Sequence, residues 1–577
     1  MRMASASALI LAGLLLNAAS SNAATPHAPT PAHPHLRPHG EPAKCSGTGL
    51  PSFVGVANAS NVAGGAFSAE LGGSNNAACQ TGSAVGAGTG NIARGLWSFV
   101  GAGQNVYTAQ QDAFAGAGDG NGADGEWSFV GSGYYNDASG EGSFVGAGGT
   151  IYAQASPLNT AFGNVASGDD SFIGAGDLNR VSGAGSFIGA GGTVFAGAGG
   201  STAGNQIFGT DSFIGAGDNN AVAGADAFVG SGTSSSAGGA AAFVGAGTSN
   251  NAEGATSFVG GGQGNVAAGN GSFVGGGDYL QFATGNPVAQ NAAVGADSFV
   301  GAGDLNNAGA NDSFVGGGQS NSIAAAATYS VATGGYANSI ASTYGTIAGG
   351  LKSKVSGSAA TVGGGEANLA SGTLATVPGG YHNLASGTAS FAAGYEAEAV
   401  TNGSFVWSDA ASTTVHVISK VPNQFLARAA GGVAFYSNAA LTSGVTLAPG
   451  GGSWGSVSDR AVKTGITALD AAAVLRKVDA LPVSEWSYIS ERGVRHVGPM
   501  AQDFYAAFGV GEDNRHITSI DEDGVALAAI KALHAENAGL RARLASDESR
   551  HAHDLAALER QVAGLARELA DSKRATH

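Results

Sequence analysis

The sequence is poor in charged residues, in cysteine and in long apolar runs. Only 11% of its 577 residues are charged, less than half the usual ~25%. Because 25 residues are phenylalanine, the low charge does not indicate a disordered chain. Fourteen prolines and the lack of glycine at every third position exclude collagen. A net charge of −17 without basic clusters argues against a nucleic-acid partner.

The charge is concentrated at one end of the chain. The 120 residues from Ser458 onward carry 33 of the 65 charged residues. Glycine accounts for 99 of the 577 residues, against a usual share of ~7%. We therefore expect a boundary near residue 457 between a glycine-rich body and an ordinary helical domain.

The N-terminus has the pattern of an export signal. Arg2 is followed by an apolar run from Ala8 to Leu16 and then by small residues up to Ala24. The run is shorter than the ~20 residues of a membrane span. We expect residues 1–24 to be a signal peptide of an exported, extracellular or cell-surface protein; an uncleaved anchor helix is the alternative. Residues 25–44, rich in proline and histidine, are interpreted as a linker.

Only two cysteines are present, Cys45 and Cys79. An even pair in an exported chain favours a disulfide, worth roughly 3–4 kcal/mol of stability in the chain-entropy account. Two free thiols are the alternative. The disulfide would fasten residues 45–94, which are interpreted as an N-terminal cap of the body.

A fifteen-residue repeat fills the middle of the chain. The motif Ser-Phe-Val/Ile-Gly-x-Gly recurs with small variations, and seven of ten successive intervals between its phenylalanines are 15 residues. The other intervals are 28, 26 and 26 residues, which indicates insertions near 150–165, 195–207 and 280–292. Such insertions form either binding loops or neutral decorations. The phenylalanines are Phe129, Phe144, Phe172, Phe187, Phe213, Phe228, Phe243, Phe258, Phe273, Phe299 and Phe314.

The fixed period predicts a mainly β fold with a repetitive β-roll or solenoid body. Phe-Val/Ile is typical of a short strand, glycine of tight turns, and Asn or Asp of side chains that cap turns. We expect the stacked phenylalanines to form one internal ladder. A 15-residue coil encloses so little that a single column would bury too small a core, so we expect several chains to associate.

This rhythm of glycine, asparagine and small residues resembles the head of trimeric autotransporter adhesins, the YadA-like head. The resemblance covers about 95–399 and implies a trimeric β-roll, although the repeat here is one residue longer than the usual fourteen. Residues 400–457 are interpreted as a β-rich collar.

A serine and a lysine five residues apart, Ser458 and Lys463, stand at the start of the charged segment. Such a pair suggests a Ser–Lys dyad, in which a neutral lysine takes the hydroxyl proton. Serine and lysine at this spacing are also common on surfaces without such chemistry.

The residues that follow this pair favour the Ser–Lys dyad over a surface pair without such chemistry. Ser458-Asp-Arg460 with Lys463, followed by Gly498-Pro-Met-Ala-Gln502 and a helix, resembles the self-cleaving intramolecular chaperone domain of endosialidases and phage tailspikes. The resemblance covers about 456–540, with the domain itself at 458–530. It implies that the domain directs trimer folding and then cuts the chain before the motif serine.

Carried over to this chain, Ser458 is the nucleophile, Lys463 is its general base, and Val457–Ser458 is the scissile bond. Ala461-Val462 replaces the more usual Arg-Leu, and some members of the family fold without cutting. A retained trimerisation cap is therefore the alternative.

The last helix carries a coiled-coil pattern over 531–575. Its apolar residues alternate at three and four positions, as a and d positions do. Asn537 lies in the same seam and is interpreted as a register-setting residue. A lone amphipathic helix packed on its own domain is the alternative. The apolar seam residues are Leu533, Leu540, Leu544, Leu555, Leu558, Val562, Leu565 and Leu569.

These features together predict an exported homotrimeric surface fibre, similar to an adhesin, with no cofactor and no metal. Its partners are other copies of itself and a surface glycan or host ligand. The one expected reaction is a single self-cleavage by a serine peptidase. A tailspike-like glycan-degrading enzyme is the alternative, but the repeats offer only scattered carboxylates such as Asp170, Asp177 and Asp218. A protein that binds ice or another surface lattice is a third possibility. It would need an unbroken ladder of threonines, and threonine is sporadic in this chain.

Overall fold

A computed structural model describes residues 45, 52–55, 60–151, 161–194, 202–277 and 291–575. The chain divides into two compact units, one ending at Arg428 and one beginning at Ala429. The predicted signal peptide, the predicted linker and much of the three predicted insertions lie outside the described residues. Within the described ranges, no helix is long and apolar enough to cross a membrane.

The first unit is a β-solenoid of about 21 turns, which confirms the predicted fold class. Each turn adds a two-residue strand to each of two parallel sheets, here called the phenylalanine sheet and the second sheet. Partner residues in successive turns are usually 15 apart, as for Phe243 with Phe258 and Asn251 with Val266. The pairing begins at Phe53 and ends at Arg428, so it extends beyond the range 95–399 on both sides.

The strands of the phenylalanine sheet are Phe53–Val54, Ala69–Glu70, Ala84–Val85, Phe99–Val100, Phe114–Ala115, Phe129–Val130, Phe144–Val145, Phe172–Ile173, Phe187–Ile188, Phe213–Ile214, Phe228–Val229, Phe243–Val244, Phe258–Val259, Phe273–Val274, Phe299–Val300, Phe314–Val315, Val331–Ala332, Thr346–Ile347, Thr361–Val362, Thr376–Val377, Gly380–Tyr381, Phe391–Tyr395, Phe405–Ser408 and Phe425–Arg428. Those of the second sheet are Val62–Ala63, Ala77–Ala78, Ile92–Ala93, Tyr107–Thr108, Gly122–Ala123, Asp137–Ala138, Val165–Ala166, Arg180–Val181, Gln206–Ile207, Ala221–Val222, Ser236–Ala237, Asn251–Ala252, Val266–Ala267, Ala292–Ala293, Asn307–Ala308, Ser322–Ile323, Ser339–Ile340, Lys354–Val355, Leu369–Ala370, Leu384–Ala385, Ala397–Ala399 and Val417–Ile418.

The core consists mainly of the second residues of the two-residue strands. Val259 of the phenylalanine sheet and Ala267 of the second sheet are fully buried, whereas Phe258 is half-buried. The prediction of an internal phenylalanine ladder is therefore wrong. Successive side chains of a strand point to opposite faces, and the interior of so small a coil holds mainly alanine, valine and isoleucine. The phenylalanines stack on one another outside that interior.

Buried asparagines form a ladder inside the solenoid. The amide nitrogen of Asn265, Nδ2, donates to the carbonyl oxygens of Gly261 at 2.8 Å and Gly277 at 3.1 Å. Its Oδ1 accepts from Nδ2 of Asn291 at 3.2 Å. The predicted local turn caps are thus part of a larger arrangement, because each asparagine also bonds the next turn. Backbone groups that would otherwise be buried without partners are satisfied in this way.

Neighbouring turns approach so closely that many positions admit only glycine. A Cβ atom added at Gly254 would lie 2.0 Å from the carbonyl oxygen of Gly269, and one at Gly260 would lie 2.3 Å from that of Gly275. Real Cβ atoms do not approach backbone so closely, so the high glycine content follows from the stacking itself.

The predicted insertions leave the ladder unbroken. Phe144 pairs directly with Phe172, and their ring centroids are 4.6 Å apart. Short antiparallel pairs mark the bases of two insertions: Thr150–Ile151 with Ala161–Phe162, and Thr193–Val194 with Thr202–Ala203. The turns on either side of an insertion therefore stack directly on each other.

The second unit is small and mixed. It begins with a three-stranded antiparallel sheet and contains a hairpin and three α-helices. The sheet strands are Val433–Tyr436, Gly444–Leu447 and Trp454–Ser456, and the hairpin is Val483–Trp486 with His496–Pro499. A 3₁₀ turn covers Arg460–Val462, and the helices are α1 (Ala471–Ala480), α2 (Ala501–Phe508) and α3 (Ser519–Ala575).

Replacing one ladder asparagine should destabilise the solenoid. In Asn265→Ala, the part-buried carbonyl oxygen of Gly261 loses the donor Nδ2, at a cost of about 1–3 kcal/mol, while that of Gly277 keeps only the backbone N–H of Gln263 at 3.0 Å. We expect a lower midpoint of thermal unfolding by circular dichroism. Gln263→Ala, which removes an exposed amide side chain from the same turn, is the matched control. Equal midpoints for the two variants would contradict a structural role of the ladder.

Asp137 gives the solenoid a pH-dependent stability. Burial raises its pKa from 3.8 to about 7, and the negative charge of Asp124 adds to the effect. Because the folded chain holds a proton that the unfolded chain releases, stability falls as pH rises from about 4 to 7. Asp137→Asn should therefore raise the unfolding midpoint at pH 8 and have little effect at pH 3.5.

The exposed Asp226 provides the comparison, since Asp226→Asn makes the same change of charge. A gain at pH 8 that is equal in the two variants would mean that net charge, and not burial of Asp137, sets the pH dependence.

Candidate functional site

The candidate site lies where the antiparallel sheet of the second unit ends. The backbone N–H of Val457 donates to the carbonyl oxygen of Gly444 at 3.0 Å, so the residue before Ser458 is still held by the sheet. The chain then turns. Asp459 caps the 3₁₀ turn, its carboxylate accepting from the N–H of Ala461 at 2.9 Å.

This turn brings Lys463 back to Ser458. Nζ of Lys463 lies 2.5 Å from Oγ of Ser458, within hydrogen-bond distance. Both side chains are exposed in the single chain. The pair that the sequence singled out is thus brought together by five residues of local structure.

The segment after the pair folds into helix α1 and the hairpin. Asp470 caps α1 by accepting from the N–H of Ala473 at 3.0 Å. The hairpin then carries a cluster of rings, in which the centroids of Trp486 and His496 are 4.8 Å apart and those of Trp486 and Tyr488 are 4.9 Å apart. These contacts hold the hairpin together but leave much apolar surface open.

A shallow cavity of about 400 Å³ lies between α1 and α2. Its lining includes Lys477, Pro482, Asp503 and Ala506, and neither Ser458 nor Lys463 belongs to it. The cavity therefore provides no substrate pocket for the pair.

The turn before α3 is ordered by Asp513. Its carboxylate accepts from the backbone N–H of Arg515 at 2.8 Å and contacts Nδ1 of His516 at 3.0 Å. The N–H of Arg515 and the His516 side chain hold the pKa of Asp513 below its ordinary value. The turn is thus fixed by local bonds.

Helix α3 exposes its apolar seam. It has 57 residues, about 85 Å at 1.5 Å per residue, and its only buried residues within the described chain are Ala529 and Ala532. The seam residues from Leu533 to Leu569 are between 49% and 65% exposed. Nδ2 of Asn537 donates to the carbonyl oxygen of Leu533 at 2.9 Å and stays exposed. The rest of the described chain therefore does not bury the seam of α3.

The N-terminal cysteines lie together at the start of the solenoid. The sulfurs of Cys45 and Cys79 are bonded, with the Cα atoms 5.4 Å apart. The N–H of Cys79 donates to the carbonyl oxygen of Ala93 in the next turn. The bond therefore joins residue 45 to a turn of the ladder.

Among the described residues, no cluster of His, Cys, Asp or Glu is arranged to hold a metal ion. The partly buried acidic pair Asp124 and Asp137 is the feature that sequence reasoning missed. Asp137 occupies an outward strand position, and only its three-dimensional surroundings distinguish it from neighbouring aspartates.

The molecule is thus a β-solenoid followed by a small mixed unit that begins with a Ser–Lys pair and ends in a long helix. Comparison with known families matches residues 458–510 to the family described as the chaperone of endosialidase. The match begins at Ser458 itself and covers the pair, α1, the hairpin and α2. No curated protein matches the chain significantly.

Proposed function

We propose that the protein is an exported homotrimeric surface fibre whose C-terminal unit aligns three chains and then cuts the Val457–Ser458 bond. One observation carries the proposal. The match to the endosialidase chaperone family begins at Ser458, and the Oγ atom of that serine lies 2.5 Å from the amine of Lys463.

The cut proceeds through an ester. Lys463 takes the proton from Oγ of Ser458, and Oγ attacks the carbonyl carbon of Val457. The C–N bond breaks, the Ser458 nitrogen takes up a proton, and the two parts are joined by an ester between Val457 and Oγ. Water then hydrolyses the ester, leaving a carboxylate on Val457 and a free hydroxyl on Ser458.

Exposure of the pair suggests the order of events. Lysine acts as a general base only in its neutral form, and burial favours that form. Because Ser458 and Lys463 are exposed in one chain, we place their burial in the assembled trimer. Cutting then follows assembly, and the released chaperone cannot guide refolding, so the fibre is kinetically stable.

The need for such a chaperone follows from the repeats. Identical turns can pair out of step by 15 residues at little local cost, because each offers the same contacts. A separate unit that brings three chains together at one end sets the register before the solenoids associate. The seam of α3 supplies the contact, since its exposed leucines have the spacing of a and d positions.

The body is proposed to attach the fibre to a surface glycan or host ligand through its outer face. The resemblance to YadA-like heads supports three chains and an adhesive role. The predicted signal peptide, together with a bonded cysteine pair, supports export.

Replacement of either member of the pair should abolish the cut. Ser458→Ala lacks the nucleophile, and Lys463→Arg keeps the positive charge but cannot serve as the base. Ser456→Ala, two residues away on the same exposed segment, is the matched control and should cut normally. Intact-mass measurement and N-terminal sequencing of the purified chain report the result, which for wild type is a fragment beginning at Ser458.

An uncut wild-type trimer would mean that the unit is a retained cap. A normal cut in Lys463→Arg would exclude the lysine as base while leaving Ser458 as the nucleophile.

A charge in the α3 seam should prevent assembly. In the uncut Ser458→Ala chain, the additional change Leu555→Asp places a carboxylate in the proposed seam, whereas Ala556→Asp adds the same charge one position outside it. We expect sedimentation equilibrium to give the monomer mass for the first and three times that mass for the second. A trimer with both changes would show that the seam of α3 is not what brings the three chains together.

A further inference from the structure

The outer face of the phenylalanine sheet carries a continuous ridge of stacked rings. Thirteen phenylalanines from Phe99 to Phe314 stack in sequence, with centroids of successive rings 4.6–5.5 Å apart. The rings are half-buried, and those at the two ends are 37% and 38% exposed. Here this row of side chains is called the ridge.

The ridge column contains no charge in any described turn. From Phe53 to Phe425 its residues are Phe, Ala, Val or Thr. The equivalent outward column of the second sheet includes Asp137, Arg180 and Lys354. Both columns face outward from the same coils, and of the two only the ridge column is free of charge.

A furrow of small residues runs beside the ridge. Three positions after each ridge residue, from Ala87 to Gly379, the chain has only glycine, alanine or serine. At Gly349, Gly364 and Gly379 an added Cβ would meet nothing within 4 Å. None of the three has positive φ. Nothing within the chain therefore requires glycine there, in contrast to Gly254, where the next turn does.

An uncharged column that is aromatic from Phe99 to Phe314, beside a furrow of small residues at the same spacing in successive turns, is complementary to itself. At ~4.8 Å per strand the ridge is roughly 60 Å long, and with the furrow it is roughly 10 Å wide. The resulting area of roughly 600 Å² grows to about 1,000 Å² along the whole uncharged column, against ~800 Å² per partner in a standard interface.

We infer that the occupant of this face is a second copy of the same chain, the ridge of one copy lying in the furrow of the next. The inference rests on the proposed homotrimer and names the surface through which its bodies associate. Three copies related by a three-fold axis place equal turns at equal heights, so each ridge meets the furrow of its neighbour and the contact closes after three chains.

Disulfide trapping in the full chain tests this arrangement. Phe243→Cys with Ala246→Cys puts one cysteine on the ridge and one in the furrow of the same turn. Three residues of extended chain separate them by about 10 Å, too far for a bond within one chain. We expect covalent dimers and trimers on a non-reducing gel. The control, Ser236→Cys with Ala246→Cys, moves the ridge cysteine to the second sheet and should stay uncrosslinked.

The outcomes separate the interface from the trimer. Suppose that the protein has three times the monomer mass but crosslinks in neither variant, or equally in both. The ridge-and-furrow interface is then wrong, and the homotrimer is unaffected. A chain that sediments as a monomer overturns both.

Filling the furrow provides a second test that does not depend on crosslinking. Gly364→Leu has room within the chain, so we expect the monomer fold to tolerate it and the assembled body to unfold several degrees lower. Lys354→Leu, on the outward face of the second sheet, should leave the midpoint unchanged. An unchanged midpoint in Gly364→Leu would mean that no second copy occupies the furrow.

Discussion

The structure depends on how little room a fifteen-residue coil encloses. The buried strand positions hold mainly alanine, valine and isoleucine, as at Val259 and Ala267, and no phenylalanine is buried among the described residues of the solenoid. Everything larger must face outward, and neighbouring turns must come within touching distance of each other's backbone. Glycine is needed where a carbonyl of the next turn would meet a Cβ, and asparagine is needed where buried carbonyl groups lack a donor.

Periodicity was enough to predict the solenoid, because the interval between successive phenylalanines is itself the length of a turn. Periodicity was not enough to predict which residue of each strand faces the interior. Both residues of a Phe-Val strand are apolar, so hydrophobicity does not distinguish the inward position from the outward one. Only the volume inside the coil decides between them: Val259 fits there and Phe258 does not. The asparagine ladder could have been found from its fixed position in the repeat.

The candidate site was predictable for a different reason. Ser458 and Lys463 are close in sequence, so a single 3₁₀ turn capped by Asp459 is sufficient to bring them together. No long-range packing had to be inferred. The acidic pair of Asp124 and Asp137 was not predictable, because its effect arises from burial in the folded ladder and from the order in which turns stack.

The unbroken pairing of Phe144 with Phe172 has a consequence for how such a chain changes in evolution. Since a turn makes the same contacts with whatever turn follows it, whole turns can be gained or lost without redesign of any neighbour. Each such event changes the length of the solenoid by ~4.8 Å. The length of the solenoid is then a quantity that gene duplication can adjust in equal steps, independently of the unit that begins at Ala429.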